Sequence, residues 1–214
     1  MMKSTLFGLL VIAVIAFFGS WGEAAPIFFS DRASFNTAVG GGLNFESFEV
    51  KPAGPAPTYT FPGFSISETQ GGNGANFLTN VLINKDFGTY PVTDGKGAVW
   101  SYDNGRSIYT FKFSNPINAF GVDLTSQKSC TVTVGGDLIS SLSMSAYNPT
   151  FFGVFDKKGT FDTIVFDPSG GDYRIGFDAV SFGKVSHSPE ASTYVLFGLG
   201  SLGIMFWRKR KRAV

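Results

Sequence analysis

Five stretches of this 214-residue chain alternate apolar and polar side chains with a period of two. They are Leu43 to Val50, Ser107 to Phe113, Cys130 to Val134, Phe161 to Phe166 and Tyr173 to Phe182. That period places every second side chain on one face of an extended strand, whereas a helix needs apolar spacings of three and four. Turn-forming clusters separate the stretches: Lys51 to Pro57, Gly71 to Gly74, Asp103-Asn104-Gly105 and Pro168 to Gly171. The pattern predicts about nine or ten short strands in an all-β fold, an antiparallel two-sheet sandwich of jelly-roll-like type. The 24 Phe residues supply bulk for the facing inner sides of two such sheets. Heptads, internal repeats and strand–helix–strand alternation are lacking. One short helix is expected near the start, where Ser30 or Asp31 caps it. Ala33, Phe35 and Val39 line its inner side, and Gly40 to Gly42 end it.

The two ends differ from this middle. Lys3, the apolar run Leu6 to Phe18 and the small residues Gly22 and Ala24 have the three-part layout of a secretory signal peptide. Residues 1–24 are therefore expected to be removed after Ala24, leaving an extracytoplasmic domain over 25–187. At the other end Ser188-Pro189-Glu190-Ala191-Ser192-Thr193 precedes an apolar segment, Tyr194 to Trp207, and the basic run Arg208 to Arg212. Fourteen helical residues extend about 21 Å, and snorkelling Arg and Lys stems lengthen the reach of a transmembrane helix at 194–207. Clustered basic residues stay cytoplasmic, so the domain ahead of them faces outward, as the signal peptide also requires.

This tail resembles the PEP-CTERM sorting signal of exported proteins of Gram-negative bacteria. The resemblance rests on Pro189, Glu190, Ser192 and Thr193, on the Gly-spaced segment with Gly198, Gly200 and Gly203, and on Arg208 to Arg212. Ala191 stands where the family usually has a second Pro. Asp31 to Glu49, Ile117 to Leu124 and Phe177 to Gly183 are similar to recurrent blocks of the same proteins. The resemblance implies an exosortase as partner, with cleavage near the motif. It also implies an inner-membrane precursor with a periplasmic domain, then display at the cell surface or in an exopolysaccharide matrix.

Charge and residue counts remove several chemistries. From residue 25 to 187 there are 11 Lys and Arg against 14 Asp and Glu, a net of 11 − 14 = −3, so no basic face serves nucleic acid. Cys130 is the single cysteine, which excludes an intramolecular disulfide and a multi-thiolate zinc site; it reads as a small strand residue. His187, the single histidine, lies between Ser186 and Ser188 in a linker, a poor place for a catalytic base. The Gly clusters lack the Lys-Ser/Thr of a phosphate loop. Glu46, Glu49, Asp123, Asp162, Asp167 and Asp178 are of the right type for a glycosidase pair, but no spacing singles out an acid and a base.

Two binding chemistries stay open. Glu46 and Asp178 are candidate ligands for one structural calcium ion if the first and last core strands pair, with backbone carbonyls completing the shell. Both also read as ordinary strand carboxylates bonded to backbone donors. Tyr90, Trp100, Tyr102, Tyr109 and Tyr147 are aromatic platforms for a sugar-binding face; Trp100, Tyr102 and Asn104, next to a turn, are the chosen ligand-binding candidates. The expected function is non-catalytic binding of extracellular polysaccharide. The alternatives are a structural or adhesive envelope protein without a glycan ligand, and a secreted glycan hydrolase.

Overall fold

The computed structural model describes residues 25–50, 56–70, 78–82, 93–95, 97–101, 107–126, 129–142, 148–168 and 175–186. Strands among them are β1 (Ile27–Phe29), β2 (Asn44–Glu46), β3 (Thr58–Phe61), β4 (Phe64–Gln70), β5 (Leu78–Leu82) and β6 (Gly97–Ser101). They continue with β7 (Ser107–Ile117), β8 (Ala119–Ser126), β9 (Cys130–Val134), β10 (Asp137–Leu142), β11 (Thr150–Phe155), β12 (Phe161–Pro168) and β13 (Ile175–Gly183). The one described helix, α1 (Arg32–Val39), follows β1.

The strands form two antiparallel sheets. One runs β1-β11-β8-β13-β6-β5, with β2 also paired to β13; the other runs β10-β9-β12-β7-β4-β3. From β7 to β13 the chain passes repeatedly from one sheet to the other, giving the expected jelly-roll-like sandwich. Alternation decides which side chains meet between the sheets. Along β7, Tyr109, Phe111 and Phe113 point inward, and Phe111 lies edge-on to Phe120 and Phe177 of the opposite sheet, at 5.4 and 5.0 Å. Cys130 is buried in the same core, and desolvation pushes its thiol far above the ordinary range, so it behaves as an apolar filler.

A second, smaller core lies outside the first sheet. Helix α1 is capped at Asp31, whose Oδ1 accepts from the Ser34 N–H at 2.8 Å, and ends at Gly40 in the left-handed conformation, φ 75°. Phe35 and Val39 are buried against Ala119, Phe151 and Phe155, with Ala38 packed alongside. Ala33, expected on the inner side, is exposed, because Phe35, Ala38 and Val39 set the face at spacings of three and four.

The expected strand from Leu43 to Val50 is shorter, ending at Glu46. Phe48 adopts φ 58°, its N–H donates to Glu46 Oε1 at 2.8 Å, and its ring enters the main core 4.9 Å from Phe61. Burying that ring outweighs continuing the ladder.

Candidate functional site

The first and last core strands do pair, with Glu46 opposite Val180. At Asp178 the β13 ladder against β8 slips, with Asp178 opposite Asp123 and Ser181 opposite Gly121, and Ala179 takes φ 51°. This bulge turns the Ala179 carbonyl toward α1. Arg32 Nη2 donates to that carbonyl at 2.7 Å and lies 3.0 Å from Asp123 Oδ1, while Nη1 donates to Ser181 Oγ at 3.1 Å. The guanidinium also sits over the Phe151 ring, 4.8 Å from its centroid.

Asp178 is 4% exposed and saturated by other donors. Its Oδ2 accepts from the N–H groups of Thr93 and Asp94, at 2.7 and 2.9 Å, and from the Thr93 hydroxyl at 3.0 Å; Oδ1 accepts from the Ala179 N–H at 2.7 Å. Burial raises its pKa, and those four bonds oppose the shift without cancelling it. Glu46 spends Oε1 on the Phe48 N–H, and Glu49 Oε1 accepts from the Gly97 N–H at 2.9 Å.

This donor set does not fit a calcium ion between Glu46 and Asp178. Four hydrogen-bond donors are aimed at the Asp178 oxygens, and calcium needs six to eight oxygens aimed at itself. Among the described residues no group of three or more Asp, Glu, His or Cys side chains could hold a metal. The oxygens of Asp123, Ala179 and Ser181 converge instead on Arg32. Sequence reasoning missed that residue; its place one step after the helix cap was the available signal.

Asp162, on the outer side of β12, pairs with Lys112, which holds its carboxyl below the ordinary range. Tyr109, expected as a surface platform, is fully buried, 5.4 Å from Phe177. The alternation of β7 sends it inward with Phe111. Trp100 lies on β6, its backbone paired with Gly176 and Thr79. Tyr90, Tyr102, Asn104, Tyr147, His187 and the motif from Pro189 to Thr193 lie outside the described residues, as do the expected signal peptide and the 194–207 segment. No described helix is long and apolar enough to cross a membrane.

A groove of about 380 Å³ opens at the other end of the sandwich from Trp100, between the sheet edges formed by β1 and by β9–β10. Pro26 and Phe28 line one side. Val134, Gly135 and Asp137 line the groove from the β9–β10 turn, and Asp156, Thr160 and Phe161 from the segment leading into β12. Phe28 is 41% exposed, yet its ring stacks on the buried Phe152 at 6.3 Å. Asp156 is fixed by its own turn, Oδ1 accepting from the N–H groups of Lys158 and Gly159 at 2.9 and 2.7 Å. Its N–H donates to the Asn118 carbonyl at 2.8 Å, and the buried Asn118 side chain exchanges two bonds with the Val185 backbone. The groove thus presents an aromatic face and two carboxylates on a fixed frame. Sequence reasoning missed Phe28, Asp137 and Asp156, because they come from three separated segments.

Residues 189–211 match the PEP-CTERM protein-sorting motif, so the chain carries that signal at its C-terminal end. No curated protein matches the chain in sequence. Among solved structures, it is similar to a variant of the carbohydrate-binding module CBM29-2, at 14% identity and a TM-score of 0.40, over 67% of this chain and 94% of the other. A CBM29-2 variant complexed with mannohexaose matches at 14% identity and a TM-score of 0.37, over 66% and 93%. The CBM36-1 domain of a multidomain xylanase from the hindgut metagenome of Trinervitermes trinervoides matches at 16% identity and a TM-score of 0.32, over 58% and 99%.

Proposed function

We propose that this chain is an exosortase-sorted protein, displayed at the cell surface or in the exopolysaccharide matrix, that binds polysaccharide without cleaving it. The sorting motif supports the address. In this reading the precursor is held in the inner membrane by residues 194–207 with its sandwich in the periplasm, after a signal peptide is removed at Ala24. The observation that carries the binding activity is the groove at Phe28. An aromatic face held by stacking, beside carboxylates that accept from hydroxyls, is the chemistry that orients a sugar ring. Trp100, Tyr102 and Asn104 are a second candidate contact.

Co-sedimentation of the exported protein with the producing cell's own exopolysaccharide tests this reading. Saturable binding without release of reducing ends is the expected result. Self-association of the folded protein without any binding would favour a structural envelope role. Release of reducing ends that is lost when Asp137 or Asp156 is replaced would make it a hydrolase.

A further inference from the structure

We propose that the groove selects uncharged polysaccharide and rejects polyanionic chains such as polyuronates. The proposal rests on the polysaccharide-binding reading and adds the class of sugar and the residues that choose it.

The selection follows from charge. The eight described lining residues include two acids, Asp137 and Asp156, and no base. Lys157 and Lys158 belong to the adjoining turn; both are exposed and neither lines the groove. A uronate entering beside Phe28 would bring its carboxylate to two others with no cation between them, a like-charge contact that costs affinity. The domain's net charge of 11 − 14 = −3 over residues 25–187 adds a weaker long-range repulsion.

A neutral sugar meets the same groups favourably. Its hydroxyls donate to the carboxylates, and hydrogen bonds to an ionised acceptor are the stronger kind. Its C–H face covers Phe28, which stacking on Phe152 already orients. The volume, about 380 Å³, lies at the small end of the range for ligand sites, which suits a short stretch of a longer chain.

The test is affinity electrophoresis of the exported protein, which in this reading has lost the basic run Arg208 to Arg212, through native gels containing a soluble neutral glucan or polygalacturonate. Retardation by the glucan alone, unchanged between low and high salt, is the expected result. Phe28→Ala and Asp137→Asn should each weaken it by roughly tenfold. Asp137 is exposed at the start of β10, so its variant keeps the test independent of folding. Retardation by polygalacturonate equal to or stronger than by glucan would overturn the selectivity. Glucan binding indifferent to both variants would overturn the groove assignment and leave the polysaccharide-binding reading standing. Retardation by neither polymer, together with failure to sediment with the native exopolysaccharide, would overturn both.

Discussion

Arg32 ties three segments of this fold together. It joins a helix, the β8 carboxylate of Asp123 and the bulge of β13 through one planar group. Arg32→Ala would leave Asp123, 15% exposed, without its cation and the Ala179 carbonyl without its donor. The expected loss is about 3 kcal/mol, read from the urea midpoint, with Arg32→Lys restoring only part because an ammonium lacks the planar fork. The same arrangement predicts that any response of the melting temperature to calcium is the same in Glu46→Gln as in the native chain; a response lost in that variant would contradict it. Asp178 gives a pH signature. Its folded pKa is raised, so its contribution is fully present below the unfolded value of about 3.9 and is lost as pH rises through the folded value. The stability of the native chain relative to Asp178→Asn should therefore fall from acid toward neutral pH, and the opposite slope would contradict the assignment. That Glu46 and Asp178 lie on strands was legible in the alternation of their segments; that those strands pair was only the condition of the calcium reading. Their donors were not, because Thr93 and Asp94 reach Asp178 across more than eighty residues of sequence.

At the scale of elements, close approach replaces polarity as the deciding quantity. Helix α1 seats its Phe35 over a pair of glycines, Gly121 on β8 and Gly153 on β11, which are cross-strand partners. A Cβ at Gly153 would stand 2.7 Å from Phe151 Cε1 and 2.9 Å from Phe35 Cδ2. Gly153→Ala should destabilise by about 1–3 kcal/mol and loosen α1, seen as faster amide exchange in Arg32 to Val39 before the rest of the sandwich. The helix itself was legible from its cap and its glycine stop, and the strands β7, β9, β12 and β13 from their period of two. The described residues hold thirteen strands where about nine or ten were expected, and two of the features that escaped that reading have a physical cause. The short β2 gives way to Phe48 because core packing overrides local alternation, and β11 hides its strand character because α1 covers its outer face and both sides are apolar. Glu46, Asn118, Asp123 and Asp178 are each bonded within the frame that interlocks β2, β8 and β13.

For the whole molecule, the sorting tail and the sandwich answer different questions. The motif at 189–211 sets the route and was legible because its parts are contiguous in sequence. The groove is assembled from β1, the β9–β10 turn and the loop before β12, a juxtaposition that only the paired sheets create. Tyr109, read from the sequence as a surface platform, is covered, since alternation identifies a face but not whether the opposing sheet covers it. The central claim is that the groove at Phe28 is where polysaccharide binds. Its most direct measurement is the affinity of exported native protein and its Phe28→Ala variant for the cell's own exopolysaccharide, with folding of both checked by near-ultraviolet circular dichroism. The account predicts saturable binding by the native protein and a loss of roughly tenfold in the variant. Equal affinity of the two folded proteins would contradict it.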